Sequence, residues 1–164
     1  MSGDAKGEEG SGELPLVFDG KTGAALWEDR RELRLRYQIS VERTRKFYDG
    51  LREGRVLTTR CRSCGELYFP PQSFCTRCGS EDMEWVELSG EGELLTFTVI
   101  KAKPTSFSHY RDYTVGIARM PEGVNVLAWV GGDPGKLRVG TRVRLRVVRR
   151  EPEGYLTYEL QLIE

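Results

Sequence analysis

Apolar positions along this chain follow two periods in turn. Leu33, Leu35, Tyr37 and Ile39 alternate with Arg34, Arg36 and Gln38, a period of two that predicts an extended segment with one apolar side. From residue 41 the spacing changes. Val41, Thr44, Phe47, Tyr48 and Leu51 recur at helical intervals. Ser40 stands where an N-cap belongs, and Gly54 stands where a helix stops. The spacing therefore predicts a short amphipathic helix over 41–53. Such an arm cannot bury its own apolar side, so it must lie on the rest of the protein or on a partner.

Beyond residue 88 the chain reads as consecutive strands, by β-branched and apolar enrichment at first and by clean period-two alternation in the last two segments. Segments 94–101 (LLTFTVIK), 113–119 (YTVGIAR), 124–130 (VNVLAWV), 142–149 (RVRLRVVR) and 155–163 (YLTYELQLI) each read as a strand. Turn signals separate them at 90–92, 120–123 (MPEG), 131–135 (GGDPG) and 151–154 (EPEG). Five short strands with one longer loop after the first predict a small barrel of OB-fold type, with a five-stranded sandwich as the rival. No internal repeat is visible. Residues 1–13 (MSGDAKGEEGSGE) are polar and of low complexity, the composition of a disordered tail. The chain thus divides into a tail at 1–13, an arm with a helix at 14–54, a cysteine segment at 55–88 and a barrel at 89–164. The fold class is mainly β.

The cysteine segment changes the picture most. All four Cys of the 164 residues fall within an 18-residue window, as Cys61-Arg-Ser-Cys64-Gly65 and Cys75-Thr-Arg-Cys78-Gly79. A disulfide scaffold would spread its Cys; paired C-x-x-C units in a reducing compartment point to a metal. Each unit sets two sulfurs in one tight turn, and the following Gly takes the left-handed backbone that the turn needs. Two such turns at the tips of facing hairpins place four thiolates around one point. The reading is one structural Zn2+ held by Cys61, Cys64, Cys75 and Cys78. Rubredoxin-like iron uses the same ligands, and disulfides or redox thiols are the remaining alternatives. A shell closed by four protein ligands leaves no position for water or substrate, so this zinc stabilises rather than catalyses.

Catalytic groups are scarce. His109 is the single His, and it sits in the loop 105–112 (TSFSHYRD). Ser106 and Ser108 lie near it without a nucleophile elbow around them. There is no phosphate-cradling Gly-rich motif. No complete catalytic set is expected, hence no catalytic residue in this chain.

Charge sums to zero, with 25 basic and 25 acidic side chains, so the molecule as a whole does not attract nucleic acid or anionic membrane. The distribution is uneven. Residues 79–93 carry six acids and no base, 136–150 seven bases and no acid, and 30–62 eleven bases against four acids. Arg142, Arg144 and Arg146 share one face of a predicted strand. That stripe is either a phosphate-binding surface or a solvated face paired with acids on neighbouring strands. A single-stranded nucleic-acid module is accordingly the alternative function, weakened by the zero net charge and the acidic run. No apolar run approaches the length of a membrane helix, and the N-terminus lacks the apolar region of a secretion signal. The expectation is a cytoplasmic protein without a membrane partner.

A run of features across residues 35–164 resembles the zinc-ribbon/OB-fold accessory proteins long known as a domain of unknown function. It comprises Phe47-Tyr48-Asp49-Gly50-Leu51-Arg52-Glu53-Gly54 and then Tyr68-Phe69-Pro70-Pro71 between the two Cys pairs. Glu84-Trp85, Ser89-Gly90-Glu91-Gly92 and Tyr113-Thr114-Val115-Gly116-Ile117 complete it. The resemblance implies a non-catalytic subunit that partners a thiolase-fold enzyme of acyl-CoA condensation or cleavage, in archaea also hydroxymethylglutaryl-CoA synthase. It implies that the barrel contacts coenzyme A or acyl-CoA while the partner holds the catalytic groups. Lys101, Lys103, Arg111 and Tyr113, which flank the long loop after the first barrel strand, are then the candidate coenzyme A contacts; plain solvent exposure is the rival for each.

Overall fold

A computed structural model describes residues 14–29 and 38–163. The tail at 1–13 and the predicted alternation over 33–37 lie outside the described residues. The chain divides into two compact units, Met1–Ile39 and Ser40–Glu164.

In the first unit, β1 (Leu16–Phe18) and β2 (Ala25–Trp27) form an antiparallel hairpin. Its turn is built by Asp19, whose carboxylate accepts from the backbone N–H groups of Lys21 and Thr22 and from the Thr22 hydroxyl. Those donors hold the Asp19 carboxyl below the usual carboxylate range, the Thr22 N–H contributing most.

The second unit opens with a 3-10 turn, Glu42–Thr44, that leads into helix α1 (Arg45–Arg52). The helix is one turn shorter than its spacing predicts, and Ser40 does not cap it. Its buried residues, Phe47, Gly50 and Leu51, all fall after residue 45, so nothing anchors an earlier turn. Gly54 ends it as expected, at φ 77 with its N–H on the carbonyl of Leu51. A three-stranded sheet follows, in the order β4 (Leu67–Tyr68), β3 (Leu57–Cys61), β5 (Met83–Glu87).

The barrel is closed by five strands: β6 (Glu91–Ile100), β7 (Tyr113–Arg119), β8 (Asn125–Gly131), β9 (Arg142–Arg150) and β10 (Tyr155–Leu162). Neighbours run β6-β7-β8-β10-β9 and back to β6, all antiparallel except the short parallel pair of β8 with β10. This is the five-stranded OB-type barrel that the strand pattern predicts. Leu94, Ala118, Val126, Val143 and Leu160 point inward and are fully buried, with Phe97, Val147, Leu156 and Leu162 partly buried against them. β6 starts earlier than expected, because Glu91 and Gly92 are strand rather than turn, and only Gly90, at φ 89, remains a bend. At Gly92 a Cβ would lie 2.6 Å from the Arg119 carbonyl oxygen, so glycine here permits a close approach of backbones.

Three aromatic rings tie the parts of this unit together. Phe47 of α1, Phe69 of the cysteine segment and Tyr158 of β10 meet edge to face, with centroids 5.2–6.2 Å apart. Among the described residues no helix is long and apolar enough to cross a membrane.

Candidate metal centre and barrel loop

The two Cys turns are built alike. Cys61 N–H donates to the Glu66 carbonyl, and Gly65 N–H donates back to the Cys61 carbonyl, both at 2.8 Å. Cys75 N–H donates to Ser80 and Gly79 N–H to Cys75, at 2.8 and 2.9 Å. Gly65 and Gly79 take φ of 77 and 75, which an L side chain resists. β3 delivers Cys61 at its end, and the paired strand β5 begins opposite it at Met83.

The result is a cluster in which the four Sγ atoms lie within 4.8 Å of one another. Cys61 and Cys78 sulfurs are 3.6 Å apart, and Cys64 and Cys75 sulfurs 3.5 Å apart. Tetrahedral zinc at about 2.3 Å from each sulfur needs sulfur–sulfur edges of about 3.8 Å. The donor set and its spacing therefore fit one zinc with no ligand position left over. Cys61 and Cys75 are fully buried and Cys78 is exposed, so the centre closes the ribbon against its own interior. Tyr68 supports it from outside the ligand set. Its hydroxyl accepts from Thr76 and from Arg77 N–H and donates to the Cys75 sulfur at 3.1 Å. Burial pushes the Cys75 thiol up, but the Tyr68 hydroxyl and the N–H groups of Cys78 and Arg77 outweigh it and bring it to about 6. The Cys64 thiol goes the other way: the Glu66 N–H lowers it, but burial and its hydrogen bonds to the other three sulfurs outweigh that and push it up to about 12. Without metal the cluster therefore carries its negative charge first at Cys75.

The loop after β6 carries the other candidate residues. Lys101 and Arg111 are exposed. Lys103 is not free in the same way: its ammonium sits 2.7 Å from Asp112, and only 14% of its side chain is exposed. Tyr113 stacks on Trp129 of β8, with centroids 4.2 Å apart and planes 16° from parallel. Tyr110 meets the same indole edge-on at 5.0 Å, and the Arg150 guanidinium lies 4.0 Å from its centroid. The Tyr110 hydroxyl donates to Glu153 in the β9–β10 turn, and His109 Nε2 lies 3.6 Å from the same carboxylate. Burial first, and then this hydrogen bond, push the Tyr110 phenol up to about 12. The structure thus gathers the loop around Trp129, Arg150 and Glu153. Alternation along β7 and β8 already puts Tyr113 and Trp129 outward; only the pairing of those strands shows that they stack.

The arginine stripe is largely answered across the sheet. Arg142 and Arg144 of β9 both bond the carboxylate of Glu91 on β6, the latter at 2.8 Å. The Arg144 bond contributes most to holding the Glu91 carboxyl below its ordinary range. The paired-face reading holds for these two; all three arginines of the stripe are exposed, and Arg146 does not share the Glu91 carboxylate.

Comparison with known proteins agrees with both halves of this geometry. Residues 49–84 match a family model described as the ChsH2 rubredoxin-like zinc ribbon domain. Residues 85–148 match the ChsH2 C-terminal OB-fold domain. The chain is 30% identical over 108 residues to a DUF35 domain-containing scaffold protein of Pyrococcus furiosus, covering 63% of this chain and 79% of that one. It is 34% identical over 97 residues to the benzoylsuccinyl-CoA thiolase subunit BbsA of Thauera aromatica, covering 58% of this chain and 66% of that one. A solved structure described as the Ltp2-ChsH2(DUF35) aldolase superposes with a TM-score of 0.65 at 25% identity, over 77% of this chain and 98% of the other. A matching zinc ribbon and four clustered thiols make the centre one structural zinc.

Proposed function

This chain belongs to the DUF35 zinc-ribbon/OB-fold family, and from that premise we propose that it is a non-catalytic, zinc-binding subunit of an acyl-CoA thiolase-type complex. The complex condenses or cleaves acyl-CoA, and the partner supplies the reactive groups. One observation carries this reading: all four thiols of the chain converge in a single four-sulfur shell. The chain's potential sulfur nucleophiles are thereby committed to structure. The names of its relatives, a scaffold protein and a thiolase subunit, support the same role. The partner is a thiolase-fold subunit. A hydroxymethylglutaryl-CoA synthase is the second enzyme such a scaffold would join.

Coenzyme A meets the barrel at the loop after β6. Lys101 and Arg111, exposed on either side of that loop, are the phosphate contacts. Lys103, through Asp112, and Tyr113, on Trp129, set the loop's shape. The test is a pull-down of the tagged chain from its native extract, with mass spectrometry of what accompanies it. A thiolase-fold subunit in stoichiometric amount supports the reading. Nucleic acid or ribosomal proteins lost at high salt would replace it with the nucleic-acid module.

A further inference from the structure

One patch of the barrel's outer wall does not match the rest of the chain. Charged residues make up 30% of the sequence. Yet two adjacent cross-strand rows over β6, β7 and β8 hold none: Thr96–Ile117–Leu127 and Thr98–Val115–Trp129. These side chains point outward, because the alternating positions Thr114, Gly116, Ala118, Val126, Ala128 and Val130 are the buried ones. Thr96, Thr98 and Leu127 are exposed, Leu127 at 59%, while Ile117, Val115 and Trp129 are half-buried. Thr96 and Thr98 of β6 are polar, but the four outward positions of β7 and β8 in these rows are Val115, Ile117, Leu127 and Trp129, where a wall facing only water would carry charged residues, as β9 does with Arg142, Arg144 and Arg146.

The surroundings of the patch bear on what covers it. The next row is Glu93–Arg119–Asn125, and along the other direction Trp129 is followed by Glu159 and then Arg146. Glu159 is committed to Arg150 at 3.3 Å. At the loop end stand the exposed Lys101 and Arg111. The rim is therefore net basic. Two copies of this chain placed face to face would oppose basic rim to basic rim, whereas an apolar patch ringed by carboxylates would be complementary. At its loop end the patch meets Trp129, whose ring is covered by Tyr113 and Arg150, so its open apolar part is Leu127 with Ile117 and Val115 beside it, next to the loop that carries Lys101 and Arg111.

We infer that this uncharged wall of β6, β7 and β8 is the surface on which the thiolase-fold subunit docks, through an apolar patch of that subunit rimmed with acidic side chains. The inference rests on the proposed function and places the partner beside the loop assigned to coenzyme A. An acyl-CoA leaving the partner would then reach Lys101 and Arg111 without crossing open solvent.

The test uses the full-length zinc-loaded chain and the thiolase-fold protein that copurifies with it, each purified, with affinity measured by calorimetry. Leu127→Glu and Thr96→Arg alter exposed side chains, and zinc content and melting temperature report that each variant folds. Each is expected to weaken the complex by about 30-fold or more, the level of an interface hot spot. Arg146→Glu is expected to slow association at low salt, with the difference fading as salt rises. Wild type and folded Leu127→Glu binding the partner equally tightly would overturn the docking surface and leave the subunit role standing. A folded Leu127→Glu that loses only self-association would assign the wall to a second copy and overturn the inference. Failure of the wild-type chain to bind any thiolase-fold protein would remove the proposed function, and this inference with it.

Discussion

The ring of Phe69, in the segment between the two Cys pairs, meets the ring of Tyr158 on β10 edge to face with centroids 5.2 Å apart. Phe47 of α1 closes the triangle on both. Helix, ribbon and barrel therefore share one aromatic joint, and a loss at one ring should be felt at the others. A double-mutant cycle with Phe69→Leu and Tyr158→Leu is expected to give a coupling of about 0.5–1.5 kcal/mol in denaturant unfolding. Additive losses would mean that the two rings are merely neighbours.

Zinc removal should act on the ribbon before the barrel. Structural zinc contributes on the order of 10 kcal/mol to the folding of small modules. Cys61→Ser and Cys78→Ser are each expected to abolish stoichiometric zinc and to lower the melting temperature. Amide exchange should show the loss first over 55–88. A variant that lacks metal but melts like wild type would refute the structural role.

Glu91 links stability to pH. Arg144, first, and Arg142 hold its carboxyl below the ordinary value of 4.5. A depressed carboxylate contributes stability that is fully present above the unfolded value and is lost as pH falls through the folded one. Wild type should therefore exceed Glu91→Gln by a constant margin above about pH 4.5, with the margin shrinking at lower pH. The pair is exposed, so added salt should also narrow the margin. Chemical denaturation of both proteins across this range reads it directly.

Gly92 should not tolerate even a methyl group. Its Cβ would sit 2.6 Å from the Arg119 carbonyl oxygen and 2.8 Å from the Met120 sulfur. The carbonyl belongs to a paired strand and cannot simply swing away. Gly92→Ala is expected to cost about 1–3 kcal/mol, measured by urea unfolding. An unchanged midpoint would show that the β6–β7 approach is looser than described.

Local patterns in the sequence account for much of this structure. Period-two alternation located β9 and β10, where one wall lies in the core and one outside, while β-branched and apolar enrichment located β6 and the short turn at 120–123 located β7 and β8 on either side of it. The C-x-x-C-G turns were legible because their geometry is closed within six residues: Cys61 N–H reaches only as far as Glu66. Longer-range features were not legible. Glycine spacing around Glu91 signals a turn, and only the approach of the Arg119 backbone reveals that Gly92 is strand. The cap expected at Ser40 failed because the burial of Phe47 and Leu51, not a polar cap, decides where α1 begins. The hairpin of β1 and β2 did have a signal, since Asp19-Gly20-Lys21-Thr22-Gly23 is turn chemistry between two short apolar runs. In the loop, sequence proximity suggested Lys103 as a phosphate contact, while the fold gives its charge to Asp112. Trp129 and Arg150 come together only through the closing of β8 on β10 and of β10 on β9.

Native mass spectrometry of the tagged chain, purified with whatever accompanies it, tests the accessory-subunit role most directly. The account predicts a complex containing a thiolase-fold subunit and one zinc for each copy of this chain. It also predicts acyl-CoA turnover by the complex and none by the chain alone. A chain that runs free of any thiolase-fold protein, or that turns over acyl-CoA by itself, would contradict it.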